Sequence, residues 1–353
     1  MKSFQCQNCG QLLFFENTQC LNCGYQLGYL PEMAELSALD GGGNGLWQPL
    51  ATRLSNRQFR LCANYQYDNL CNWLIPADSL ETLCQACRLN QTIPNLSDEK
   101  NLERWRKLEV AKRRMVYSLL VLGLPVMNKH EDPERGLAFD LLAPSSDPNA
   151  EPVLTGHDKG LITINISEAD SVVREQTRLE MNEPYRTLLG HFRHEVGHYY
   201  WMLLIQDTSW LEPFRKLFGD EREDYAQALE RHYQSTPPSN WQAQFVSVYA
   251  AAHAWEDWAE TWAHYLHITD AIETAQEFGV SVQLQTESEQ PTTPITQLYF
   301  QPFEHIVDAW LPLTYAINSI NRSMGQPDVY PFVLSSKAIE KLSFVHEVIR
   351  SNL

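Results

Sequence analysis

His191-Phe-Arg-His194-Glu195-Val-Gly-His198-Tyr-Tyr-Trp201 contains the pattern H-E-x-x-H. On a helix, positions i and i+4 share a face, so His194 and His198 can both aim imidazole nitrogens at one metal ion. Glu195 sits beside them, where a carboxylate can accept a proton from a metal-activated water. Leu188, Leu189, Phe192, Val196, Tyr199, Tyr200 and Leu203 recur at helical spacing around the motif. The helix is expected to start at Glu183-Pro-Tyr, since Pro184 suits a first turn.

A catalytic zinc takes three protein ligands and keeps one position for water. The metzincin pattern would place Gly and His where this chain has Trp201 and Leu204, so it is excluded. A gluzincin takes a Glu from a second, downstream helix. His253-Ala-Trp-Glu256-Asp-Trp-Ala-Glu260-Thr-Trp-Ala-His264 fits that, within a helix expected from Trp241 to about His267. Glu256 and Glu260 lie one turn apart on one face. One can ligate zinc while the other holds a ligand histidine through its second ring nitrogen. Two carboxylates so close repel each other without a cation. Residue chemistry leaves open which of the two is the ligand, and also allows Asp257. Of the other histidines, His191 is expected to pack on its helix, and one helix cannot aim His253, His264 and His267 at the same ion.

All eight cysteines lie before residue 88. Cys6-Gln-Asn-Cys9-Gly and Cys20-Leu-Asn-Cys23-Gly are matching knuckles flanking the β-prone Gln11–Phe15. Their spacing reads as a zinc ribbon rather than free thiols. Cys62, Cys71, Cys84 and Cys87 read as a second four-thiolate zinc site, in which only Cys84 and Cys87 have the tight spacing; the alternative is that Cys62 or Cys71 is a buried core thiol. Segments this small do not bury enough surface to fold without metal. Between the two, the run Gly41-Gly-Gly-Asn-Gly45 reads as part of a flexible linker over 31–58.

The 353 residues carry a formal net charge of −17, and acidic residues outnumber basic ones across the cysteine-rich stretch. That disfavours nucleic acid and anionic membrane, which call for clustered Lys and Arg. The opening Met-Lys-Ser-Phe-Gln-Cys lacks the apolar core of a secretory signal. The nearly apolar run from Met115 to Met127 is too short to span a bilayer. A cytoplasmic protein is expected.

Ser97 is expected to cap a helix reaching about Leu122. Its Arg104, Arg106, Lys107, Lys112, Arg113 and Arg114 make a basic stripe, read as a solvated face or a dock for acidic parts of the same chain. Leu137–Leu142, Val153-Leu154 and Leu161–Ile166 read as strands of a small sheet, with His157 in a turn. Helices are expected over 168–181 and 212–233, then an irregular polar excursion over 275–295, then two or three helices in the tail. The fold class is α+β. The expected segments are a zinc ribbon over 1–45, a second four-cysteine zinc module over 46–96, and a mainly helical zincin-like domain with a small sheet over 97–353.

Two resemblances sharpen the site. Glu256-Asp-Trp-Ala-Glu260 resembles the E-x-x-A-E stretch of the lethal-factor-type gluzincins. That likeness implies Glu256 as zinc ligand and Glu260 as support for a ligand histidine. It also implies that a tyrosine two turns earlier on the same helix polarises the substrate carbonyl; Tyr249 stands at that spacing. An aromatic packed in an Ala-rich helix is the structural alternative for Tyr249.

The chain as a whole is similar to a bacterial family of zinc-binding metallopeptidases with an N-terminal zinc ribbon. The likeness rests on the knuckles, Cys62-Ala-Asn-Tyr, Cys71-Asn-Trp, Cys84-Gln-Ala-Cys87-Arg-Leu-Asn and Thr155-Gly-His. It continues through Pro184-Tyr-Arg-Thr-Leu-Leu-Gly-His-Phe-Arg-His-Glu-Val-Gly-His198 and Trp255–His264. It implies a compact zincin fold and three zinc ions, one catalytic and two structural. The implied activity is cleavage of a peptide or protein substrate, with Glu195 as general base. An edge of the small sheet at 161–166 is expected to hold the substrate as an added strand. The ribbons are expected to serve stability or docking of a protein partner. The competing expectation is a zinc-stabilised adaptor whose H-E-x-x-H is silent; such a scaffold needs the histidines but not Glu195.

Overall fold

The computed structural model describes residues 1–51, 56–67, 69–145, 147, 149–181, 183–282 and 299–352. The fold is α+β: two four-cysteine clusters with short strands, then a mostly helical region. It divides into two compact units, Met1–Thr155 with Thr163–Asp170, and Gly156–Ile162 with Ser171–Leu353.

In the first unit, β1 (Phe4–Gln5) and β2 (Leu12–Leu13) form the ribbon hairpin. Five further strands pair in chain order: β3 (Gln26–Leu30), β4 (Glu35–Gly41), β5 (Trp47–Pro49), β6 (Phe59–Leu61) and β7 (Leu74–Pro76). The expected linker over 31–58 is therefore sheet on both sides of its glycines. Gly41, Gly42 and Gly45 have φ of 92°, 87° and 78°, which only glycine adopts without strain, and they turn β4 back into β5. The signal for β4 lay in Leu36, Ala38 and Leu39, all buried. An aromatic core of Phe15, Tyr29, Trp73 and Tyr117 fills this unit, with Phe15 and Tyr29 ring centres 4.8 Å apart.

Tyr117 comes from α1 (Glu99–Val121), so by packing this helix belongs to the same unit as the cysteines. Its N-cap is Asp98 rather than Ser97; the Asp98 carboxylate accepts from the amides of Lys100 (2.9 Å) and Asn101 (3.3 Å). The basic stripe is a dock. Arg114 meets Glu16 and Arg104 faces Asp170, while Lys112 and Arg113 are buried with Glu109. Strand β8 (Asn90–Thr92) pairs parallel with β9 (Ala138–Leu142), and β11 (Leu161–Asn165) belongs to the same sheet.

In the second unit, β10 (Gly156–Asp158) turns through Lys159-Gly160 into the start of β11. The third strand thus lies at 156–158, not at Val153-Leu154. Strand β11 is an inner strand of its sheet, so 161–166 does not offer the edge expected for an added strand.

The helices are α2 (Ser171–Glu180), α3 (Leu188–Leu204), α4 (Leu211–Phe218), α5 (Tyr225–Gln234), α6 (Trp241–Gln244), α7 (Ala254–Glu277), α8 (Phe303–Ser323) and α9 (Ser336–Arg350). Three differ from expectation for local reasons. The motif helix α3 begins at Leu188, not Glu183, because Thr187 Oγ1 accepts from Gly190 N at 3.0 Å and caps it there. The helix expected over 212–233 breaks at Gly219 (φ 112°) into α4 and α5. The helix expected from Trp241 to His267 is interrupted after Gln244. Ser247 Oγ turns back to the Ala250 amide, a short 3-10 turn covers Tyr249–Ala251, and His253 caps α7 by accepting from Trp255 N at 3.1 Å. Of the polar excursion at 275–295, residues 275–277 are helical and 283–295 lie outside the described residues. No helix among the described residues is long and apolar enough to cross a membrane.

The charge cluster on α1 gives a direct test. Glu109 is fully buried and accepts from Asn90 (2.8 Å) and Lys112 (2.7 Å), with Arg113 beside it. Removing one partner of a buried ionic group strands the others, at a cost of about 3–5 kcal/mol. Glu109→Ala should therefore lower the urea midpoint of the first unit strongly. Lys107→Ala, which breaks an exposed pair with Glu103, should move it within about 0.5 kcal/mol.

Candidate metal centres

Among the described residues, three side-chain groups can each hold a metal: Cys6/Cys9/Cys20/Cys23, Cys62/Cys71/Cys84/Cys87 and His194/His198/Glu256, with all ligand atoms of a group within 4.8 Å of one another. In the first, Cys6 and Cys23 sulfurs lie 3.6 Å apart, as do those of Cys9 and Cys20. In the second, Cys71 and Cys84 sulfurs are 3.7 Å apart. Four thiolates, each about 2.3 Å from a central zinc, sit roughly 3.8 Å from one another. A disulfide would need about 2.05 Å. The knuckles close through Gly10 N→Cys6 O and Gly24 N→Cys20 O, both 2.8 Å, with φ of 73° and 77° at the two glycines.

The second cluster is built against α1. Cys87 Sγ points at Glu109 Oε2 (3.8 Å), and Arg113 donates to Leu70 O at 2.6 Å. Burial alone would lower the Arg113 pKa; Cys71, Cys87 and Glu109 outweigh it and raise it. Arg113 thus offsets part of the negative charge that four thiolates carry around a divalent ion.

The third group joins two helices of the second unit. His194 and His198 project from α3 and Glu256 from the first turn of α7. His194 Nδ1 donates to Glu260 Oε1 at 2.7 Å, and Ser247 Oγ donates to Glu260 Oε2 at 2.6 Å. That chain fixes the ring so that Nε2 faces Glu256 Oε2 at 3.0 Å. Burial alone would lower the His194 pKa; Glu256 and Glu260 outweigh it and raise it well above the usual range. The pocket favours positive charge at this nitrogen. With the proton on Nδ1 bonded to Glu260, Nε2 and the buried Glu256 Oε2 face each other as two acceptors without a hydrogen-bond partner for Oε2, and a divalent ion between them would satisfy both.

The remaining expected residues fall around this point. Glu195 Oε1 lies 3.4 Å from His191 Nε2. Burial would raise the Glu195 carboxyl, but His191 and then His194 outweigh it and hold it below its ordinary value, so it stays ionised. Tyr249 is not on the helix of Glu256, as the two-turn spacing implied. It sits in the 3-10 turn before α7, with its ring centre 5.9 Å from that of His194. Burial, then the Glu256 carboxylate, pushes its phenol well up, so it remains a proton donor at neutral pH. Asp257 turns away from the group to Lys341 of α9, 2.5 Å off. His253 caps α7, His264 bonds Tyr330, and His267 bonds Arg193, so none of the three joins the cluster.

Residues 101–348 match the family model described as "Putative zinc-binding metallo-peptidase", and residues 3–98 match a zinc-ribbon domain. Curated uncharacterized proteins of Mycobacterium bovis and of two Mycobacterium tuberculosis strains are each 46% identical to the chain over 351 residues. The alignments cover 99% of this chain and 95% of each relative. The chain belongs to this zinc-binding metallopeptidase family. No solved structure matches it.

In this metallopeptidase-family chain, several contacts at the site carried no readable sequence signal. Tyr225 of α5 donates to Glu256 Oε1 at 2.6 Å from 31 positions away. Ser247 looked like part of a helix, and His157, read as a turn residue, stacks over His198 with ring centres 6.4 Å apart. The x-x positions of H-E-x-x-H also matter. A Cβ on Gly197 would lie 3.0 Å from Ala259 Cα and 3.3 Å from Ala259 O, and Trp258 Nε1 donates to Gly197 O at 2.8 Å. Gly197 lets α3 and α7 approach closely enough to share the ligand group. Gly197→Ala gains about 1 kcal/mol of helix propensity. The neighbour it meets is backbone, held by the fully buried Trp258 and Trp262, so overpacking of about 1–3 kcal/mol outweighs the gain. We expect the variant to unfold at lower denaturant than the parent. A higher midpoint would mean that the two helices are not in close contact there.

Proposed function

We propose that this chain is a gluzincin-type peptidase that hydrolyses peptide bonds at His194, His198 and Glu256. The observation that carries the proposal is the convergence of those three ligand atoms beside an ionised Glu195, with Glu260 holding His194 in the tautomer a metal needs. A zinc ion held there would supply Lewis acidity, bringing a bound water to a pKa of about 7 and polarising the scissile carbonyl. Glu195 takes the proton of the attacking water and delivers it to the leaving amine. Tyr249 donates to the carbonyl oxygen as it gains negative charge. Strand β10 carries His157 to His198, so this strand, rather than the inner strand β11, borders the site that an extended peptide would enter.

The two four-cysteine clusters hold structural zinc and, with Leu21 exposed in one knuckle, offer a docking face to a protein partner. Thiolate sites of this kind suit a reducing, cytoplasmic setting. A silent metal-binding adaptor would have no use for Glu195 held ionised between His191 and His194.

Elemental analysis of the full chain should find about three zinc ions, and His198→Ala should leave two. Glu195→Gln should keep all three while slowing cleavage of a peptide library by about 10²–10⁴-fold. A Glu195→Gln variant that cleaves as fast as the parent would remove Glu195 from the mechanism.

A further inference from the structure

Glu256 offers two oxygens to the metal group, and the structure treats them differently. Oε2 faces His194 Nε2 at 3.0 Å and has no hydrogen-bond partner, whereas Oε1 accepts from Tyr225 Oη at 2.6 Å and lies 3.7 Å from His198 Nε2. A carboxylate can bind a divalent ion through one oxygen or through both. Each further oxygen fills a position that water or a substrate carbonyl would otherwise take.

Tyr225 reaches Glu256 from a separate element. Asp224 caps α5 through Gln227 N at 3.0 Å, and α5 then buries only Ala228, so its attachment here is through its aromatic side chains. The Tyr225 ring packs edge-on to His253 at 5.3 Å and against Trp255 at 6.0 Å, which aims the hydroxyl at the first turn of α7. His232, two turns along α5, packs on Tyr249 at 5.8 Å and secures the far end. The phenol is therefore preplaced on Oε1 by contacts that do not involve the metal ligands themselves.

We propose that Tyr225 is a positioning residue that holds Glu256 to one metal-bound oxygen, Oε2, and so keeps a coordination position open for the reaction. This rests on the metal assignment at His194, His198 and Glu256. Engaging Oε1 in a hydrogen bond makes it the weaker donor and fixes the carboxylate's rotation. Without the phenol, Oε1 is free to swing onto the ion.

The test uses the full chain with zinc kept in its thiolate sites and Co2+ loaded into the third site after mild chelation. Visible d–d absorption of Co2+ is strong at four-coordinate centres and weakens as coordination number rises. Tyr225→Phe keeps the ring and removes only the hydroxyl. It should dim the d–d bands relative to the parent, because the added carboxylate oxygen raises the coordination number. Unchanged affinity and spectrum would overturn the proposal. So would weaker affinity with an unchanged spectrum, because Tyr225 would then merely steady α5 and α7. If the parent itself takes up no metal that His198→Ala abolishes, the metal assignment fails, a result distinct from either outcome of the variant.

Discussion

The close approach of α3 and α7 is the constraint on which the candidate site depends. Two histidines one turn apart on α3 cannot make a catalytic zinc site alone; a carboxylate has to come within ligand distance from another element. That distance is set by Gly197 against Ala259, with Trp258 bonded to the Gly197 carbonyl and Tyr200 stacked on Trp262 at 4.8 Å. The same crossing brings Glu260 to His194 Nδ1. Packing, ligand geometry and tautomer are thus one feature of two helices rather than three separate ones.

Around that crossing the second unit places supports on elements far apart in sequence. Ser247 reaches Glu260 from the turn before α7, Tyr225 reaches Glu256 from α5, and His191 lies against Glu195 from one turn earlier on α3. The first unit obeys a different logic. Its core is a small aromatic group and a five-stranded meander, and its second cysteine cluster is set beside Arg113 of α1. A tetrathiolate centre carries net negative charge, and burying it calls for cations nearby.

Much of this was legible in the sequence because its signals are local. C-x-x-C-G needs only four residues and a glycine of positive φ. H-E-x-x-H needs one helical turn, and Glu256 with Glu260 needs another. What was not legible depended on long-range contacts or on competition between neighbouring signals. The glycines at 41–45 looked like a linker because their turn function shows only once β4 and β5 pair. The Trp241–His267 run reads as one helix by composition, but Ser247 bonding to Glu260 and to the Ala250 amide breaks it and moves Tyr249 off α7. Tyr225 could not be found from spacing, since its 2.6 Å contact with Glu256 spans 31 positions and two helices.

The central claim is that His194, His198 and Glu256 share one zinc ion. Diffraction from crystals of the full chain at the zinc absorption edge tests it most directly. We predict three anomalous peaks per chain, one of them about 2.0–2.2 Å from His194 Nε2, His198 Nε2 and a Glu256 oxygen. Two peaks, both within the cysteine clusters and none between α3 and α7, would contradict it.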